Sequence, residues 1–180
     1  MPTACFTGHR KINSQYYNRI NPSPDWLSLK NYLNKVVTSL IKDHSVDHFI
    51  TGLAIGVDML GAESVAICRA FTPGPVKLTG AMPFPSQGSR WPEPTRNHWE
   101  NTKGLCNELV SVSPDPYHPS KMQIRNEWMV DRSDYVIAIW NGIEKGGTWN
   151  CIAYAKATGK PVLWIQQDGI NWNNGWITGG

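Results

Sequence analysis

The sequence predicts an α/β fold in which helices cover both faces of a mostly parallel β-sheet. Three observations lead to it. Short apolar runs alternate with segments of helical period, which is the pattern of successive βαβ units. Four segments that follow predicted strands, 7–10, 52–58, 83–91 and 141–148, carry small or polar residues, as expected at a ligand-binding sheet edge. The 180 residues suffice for one buried core and show no internal repeat. One domain is therefore expected over 1–165, followed by a C-terminal extension, 166–180.

Residues 3–6 read as the first strand, closed by Thr7-Gly8-His9-Arg10, and a loop follows. Asp25 looks like the N-cap of a helix whose Leu29, Leu33, Val36, Val37, Leu40 and Ile41 recur at helical spacing. Residues 46–51 form a second strand, and 59–71 a helix stopped by Pro73-Gly74-Pro75. A third strand covers 76–82, and a helix beginning near Pro92 or Pro94 reaches about Cys106, since proline suits a first helical turn. A short strand at 109–112 and a proline-rich loop lead to a helix over 121–132, with Met122, Arg125, Met129 and Arg132 along one stripe. Residues 135–140 are a strongly apolar strand, 148–158 a helix closed by Gly159, and 161–165 the last strand of the domain. In the extension, Trp172-Asn173 and Trp176-Ile177 flank Asn174-Gly175, which predicts a β-hairpin with its turn there. The expected spatial strand order is 109–112, 76–82, 46–51, 3–6, 135–140, 161–165, reversing between 3–6 and 135–140.

A formal charge of +3, with no run of five like charges, gives no basic nucleic-acid arm, so nucleic acid is not an expected partner. Cys5, Cys68, Cys106 and Cys151 lack CxxC or Cys/His spacing, which points to reduced structural thiols in the cytoplasm and to no metal. The start lacks the pattern of a leader, no apolar stretch reaches membrane-spanning length, and no membrane partner or cofactor is expected. Nine tryptophans and six tyrosines exceed what one small core absorbs, so some should line a pocket or an interface.

In a parallel sheet the four post-strand segments converge on one edge. Gly8, Gly52, Gly56, Gly146 and Gly147 would let backbone N–H groups approach an anion there, and helices begin after Gly56 and Gly147. Arg10 and Arg125 could grip phosphate or carboxylate through paired hydrogen bonds, although Arg125 equally fits a solvated helix face. His9 is either an acid/base group or a structural hydrogen-bonder. Asp58 is either a ribose or water ligand or a helix N-cap, and Thr148 either a phosphate ligand or a cap. Phe84, Trp91 and Tyr117 either stack on a base or pack in the core.

The chain resembles the YpsA-like branch of the SLOG superfamily, a Rossmann-like group that includes the LOG phosphoribohydrolases and the DNA-processing protein DprA. The resemblance rests on Cys5-Phe6-Thr7-Gly8-His9-Arg10, on Thr51-Gly52-Leu53-Ala54-Ile55-Gly56-Val57-Asp58, and on Pro83-Phe84 with Gln87 and Trp91. It continues through Arg125-Asn126, 129–134 and Gly146-Gly147-Thr148. It implies a Rossmann-like three-layer sandwich and a homodimer. It also implies a nucleotide-type ligand with the Gly146-Gly147-Thr148 turn on phosphate, and adds Thr7, Ala54, Gln87, Trp91 and Asn126 to the candidate binding residues. LOG enzymes cleave an N-glycosidic bond with an arginine and a glutamate; Arg125 matches the arginine, whereas the glutamate position holds Cys151.

The expected function is therefore binding of a nucleotide or nucleotide-derived small molecule, such as a nucleoside monophosphate, NAD or an ADP-ribose-like compound. The alternative is an N-glycosyl hydrolase or transferase using Arg125 and Asp58. A DprA-like single-strand nucleic-acid protein is the third reading, disfavoured by the modest charge.

Overall fold

The computed structural model describes residues 2–177; Met1 and residues 178–180, at the outer ends of the two predicted segments, lie outside the described residues. The chain runs β1 (Thr3–Gly8), β2 (Lys11–Ile12), β3 (Gln15–Tyr16), α1 (Pro24–Asp43), β4 (His48–Thr51), α2 (Val57–Arg69) and β5 (Lys77–Met82). It continues through α3 (Glu93–Leu105), β6 (Glu108–Ser111), α4 (Ser120–Asp131), β7 (Tyr135–Ile139), α5 (Gly147–Ala157), β8 (Val162–Asp168) and β9 (Asn171–Ile177).

Seven strands form one sheet in the order β6-β5-β4-β1-β7-β8-β9, all parallel except β9. The order reverses between β1 and β7, as the sequence predicts. Side-chain alternation divides the core into two layers. Phe6, Phe49, Leu78, Ile137 and Leu163 pack under α1 and α2, while Cys5, Ile50, Val136, Ala138 and Val162 meet Met129 and Val130 of α4 and Cys151, Ile152 and Ala155 of α5. The result is a Rossmann-like three-layer α/β sandwich. Among the described residues no helix is long and apolar enough to cross a membrane.

Several elements differ from expectation for local reasons. β1 extends to Gly8 because Thr7 and Gly8 pair with Ala138 and Ile139. Ser23, not Asp25, caps α1: its hydroxyl accepts from Trp26 N, and Pro24 fills the first turn. In α4 the buried stripe is Arg125, Asn126, Met129 and Val130; Arg132 is exposed and its guanidinium lies over the Trp128 ring. A short β2–β3 hairpin occupies the segment that the sequence presents as loop, with Asn13 and Ser14 both at positive φ, as a type I′ turn requires.

The C-terminal hairpin exists, but its turn is not at Asn174-Gly175. Those residues lie inside β9 opposite Ile165 and Trp164, and the chain reverses at Gly169-Ile170, with Gly169 at φ +62°. Asp168-Gly169 carries its own turn signal, with glycine first in a two-residue loop. Turning there lets β9 pair along the whole of β8.

Candidate functional site

The carboxyl ends of β1, β4, β5 and β7 meet at the strand-order reversal, and the loops beyond them carry most of the candidate residues. Gly52 follows β4 immediately. A Cβ on Gly52 would lie 2.6 Å from Arg125 Nη1 and 2.7 Å from Asp58 Oδ2, so a cation and a carboxylate come together over bare backbone.

Arg125 projects from α4 and is 5% exposed. Its Nη1 donates to the Gly52 carbonyl and, at 3.3 Å, to the Ala81 carbonyl, while Nε donates to Asn126 Oδ1 at 3.2 Å. The surface-residue reading of Arg125 is therefore corrected: its hydrogen-bonding neighbours come from other elements as well as its own helix. Among the described residues it has no ion pair within 4.0 Å, and Nη2 makes no hydrogen bond. Burial lowers its pKa, with the Asp58 charge opposing.

Asp58 is not a helix cap. The N-cap of α2 is Gly56, and Asp58 sits in the first turn with Oδ2 accepting from Ala54 N at 3.4 Å. The Thr51 hydroxyl donates to the Asp58 carbonyl at 2.7 Å and accepts from Leu53 N at 3.3 Å. Leu53 adopts φ +57°, a conformation costly for a branched side chain, so this loop is held by its surroundings. Burial pushes the Asp58 carboxyl up to about 6, with Arg125 partly offsetting the rise.

His9 spans the reversal between β1 and β7, since Asn141 N donates to its Nε2 at 3.3 Å. An imidazole accepting at Nε2 is neutral, and burial lowers its pKa to match. Gly56 has φ +98°, and a Cβ there would lie 2.5 Å from the His9 carbonyl, so the β1 and β4 loops touch at this glycine. Gly8 faces Val57 just as closely, at 2.5 Å from Cγ1. Arg10 is exposed beside them.

At α5, Gly146 is the N-cap with φ +92° and no side-chain cap. Added Cβ atoms on Gly146 and Gly147 would meet nothing within 4 Å. These two glycines thus leave uncrowded space beside the positive end of the helix dipole, which suits an anion. Thr148 is buried behind them. Cys151, which replaces the glutamate of the LOG pattern, is fully buried and hydrogen-bonded by Thr7, and burial raises its thiol to about 12. It is no acid/base group at neutral pH.

Other candidates serve the frame. Gln87 Nε2 donates to the Gly52 carbonyl at 3.2 Å and its Oε1 accepts from Trp99 Nε1 at 3.3 Å. Trp91 lies edge-on against Trp99, and Phe84, 5% exposed, lies edge-on against the exposed Tyr117. Sequence reasoning missed Trp140, Trp149 and Trp164, which pack together with centroids 5.1–5.3 Å apart beside the start of α5. The high tryptophan count was their only trace.

The family model described as YpsA, the YspA SLOG family, matches residues 4–162. The SPbeta prophage-derived protein YoqJ of Bacillus subtilis (strain 168) is 33% identical over 147 residues, covering 76% of this chain and 85% of that protein. A UPF0398 protein of Bacillus cereus (strain G9842) is 22% identical over 89% of this chain and 85% of its own. In fold, DNA processing protein A of Helicobacter pylori is similar at TM-score 0.60 with 20% identity, and that of Streptococcus pneumoniae (DprA) at 0.64 with 14%. Each match covers 93% of this chain, but only 66% and 51% of those chains respectively. The Helicobacter pylori protein is described by its single-stranded DNA binding mode, and this corrects the expectation that nucleic acid is an unlikely partner: modest net charge is no ground for excluding it on this fold. On the match over 4–162 and the identity to YoqJ, the chain belongs to the YpsA family of SLOG proteins.

Proposed function

We propose that this protein binds a nucleotide or nucleotide-derived molecule at the carboxyl edge of the sheet, with phosphate at the start of α5 and Arg125 as the principal cationic contact. The observation that carries this reading is a guanidinium buried at the strand-order reversal which, among the described residues, has no ion pair within 4.0 Å and leaves Nη2 unused. Burying an unpaired charge is costly, and an anionic ligand would offset that cost. Membership of a SLOG family and a fold shared with DNA processing protein A fit a nucleotide-related or DNA ligand.

Calorimetric titration with a nucleoside monophosphate, NAD, ADP-ribose and a short single-stranded oligodeoxynucleotide tests the reading. Arg125→Ala should weaken binding of the preferred ligand by roughly tenfold or more, the usual worth of a charge-assisted hydrogen bond. Unchanged affinity in the folded variant would sink the assignment.

A second reading, N-glycosyl hydrolysis or transfer, is favoured by Asp58: a carboxyl raised to about 6 beside an arginine can hold or release a proton near neutrality. Release of free base from the bound nucleotide, abolished in Asp58→Asn, distinguishes it from binding alone.

A further inference from the structure

A cleft of about 1240 Å³ lies between the segment around β3, the start of α2 and the start of α3. Its floor holds a three-residue hydrogen-bonded chain drawn from three separate elements. Glu63 of α2, 8% exposed, accepts from the Tyr17 hydroxyl at 2.5 Å through Oε2 and pairs with His98 Nε2 at 2.7 Å through Oε1. The Tyr17 and His98 rings meet edge-on with centroids 5.5 Å apart. Both side chains line the cleft.

With Nε2 committed to Glu63, the imidazole is fixed in orientation, and its Nδ1 makes no hydrogen bond among the described residues. A carboxylate that holds one ring nitrogen and thereby directs the other is the arrangement proteins use to aim a histidine at a ligand. A purely structural latch has less need of an imidazole that opens onto a cavity.

The rest of the lining says what would fit. Besides His98, the only ionisable side chains other than tyrosines that line it among the described residues are Arg19 and Glu93, of opposite sign, so this lining offers no net charge for a phosphate. It offers amides instead: Asn97 and Asn101, one helical turn apart on α3 and flanking His98, make no side-chain hydrogen bonds among the described residues. Tyr16, more than half exposed and with Lys11 Nζ 4.6 Å from its ring centroid, adds an aromatic ring. Amides, an imidazole and aromatic rings around a space whose two formal charges are of opposite sign suit a neutral heteroaromatic ring with donors and acceptors on its edge and hydroxyls nearby.

We propose that this cleft is a second binding site that takes an uncharged nucleoside, with His98 as its central hydrogen-bonding group and with Glu63 and Tyr17 as the residues that orient it. The cleft meets the sheet-edge site at Ile55 and Gly56, which belong to the loop that leads into Asp58, but it is lined by none of Arg10, Asp58 or Arg125.

The test is calorimetric titration of the full chain with adenosine, guanosine, cytidine and uridine, read together with the His98 ring resonances by NMR. At least one nucleoside should bind and shift the His98 signals. His98→Gln and the surface double variant Asn97→Ala/Asn101→Ala should each weaken it about tenfold or more, while Arg125→Ala leaves it unchanged. The double variant removes only surface amides and keeps the test valid if His98→Gln proves unstable. Absence of binding by every nucleoside at millimolar concentration, or binding that these variants leave untouched, would overturn the proposal. Binding lost in Arg125→Ala but retained in the cleft variants would also overturn it, by placing the nucleoside at the sheet edge.

Discussion

Asp58 and His9 lie at the same sheet edge and answer to acid with opposite signs. Burial raises the Asp58 carboxyl from 3.8 to about 6, so the folded protein takes up this proton before the unfolded chain does. The stability gained is complete below pH 3.8 and is lost as pH rises through about 6. The shift corresponds to about 3 kcal/mol between the two limits. Asp58→Asn should therefore flatten this part of the pH profile, as measured by urea denaturation at stepped pH; an unaltered slope would assign the titration to another group. His9 behaves in reverse. Burial lowers its pKa from 6.5, so the unfolded chain is protonated first and stability falls as pH drops below that value. An NMR titration should place its midpoint below 6.5, whereas a midpoint at or above it would mean that the bond from Asn141 N does not persist in solution. Both residues were visible in the sequence as polar residues beside a strand end. What spacing could not show was that α4 reaches across the sheet edge to put Arg125 over Gly52, because no local pattern encodes which elements cross.

Loops and caps decide how these side chains are presented. Gly52 follows β4 with no positive φ, so its lack of a side chain serves space and not backbone freedom. In Gly52→Ala the new methyl would meet the ends of two buried, hydrogen-bonded side chains, Arg125 and Asp58, which must shift to admit it. The expected result is a loss of about 1–3 kcal/mol, the usual cost of an extra methyl at a packed buried site, together with ligand affinity reduced as far as in Arg125→Ala. Full affinity in Gly52→Ala would show that the two groups need not share this place. Gly8→Ala should cost stability as well, because its Cβ would strike the β-branched Val57 inside the core. Strand existence was legible from apolar runs, and α1 from its heptad-like stripe. The errors came from punctuation: Ser23-Pro24 outcompeted Asp25 as the start of α1, and Asp168-Gly169 outcompeted Asn174-Gly175 as the hairpin turn. In both cases two valid local signals stood a few residues apart, and the longer pairing or the better-filled first turn prevailed.

The strand order was readable because alternating strands and helices leave few right-handed arrangements, and the place of the reversal follows from the chain returning to pair β7 with β1. The final strand was not so constrained. The sequence predicts a hairpin in the extension with its turn at Asn174-Gly175, but not that one arm continues the last strand of the domain: β9 pairs with β8 from Asn171 to Ile177 and completes one edge of the sheet. It is fastened to α1 as well. Trp172, 8% exposed, donates through Nε1 to Ser28 Oγ at 2.8 Å, and Asn174 Nδ2 donates to the Tyr32 hydroxyl at 2.6 Å. Trp176 packs against Tyr135 and His44. Removing residues 169–180 would uncover Leu163 and Ile165 on one face and leave the β8 edge open to pairing with other chains. The truncated protein should melt well below the parent and aggregate on heating. Trp172→Ala alone should cost about 3–5 kcal/mol, the usual loss for a buried tryptophan. Because β9 lies two strands from β7 and makes no part of the sheet-edge site, nucleotide affinity of folded Trp172→Ala should equal that of the parent. A truncated chain with an unchanged melting curve would show that the domain closes at β8, and lost affinity in Trp172→Ala would show that the edge strand and the site are coupled through the sheet.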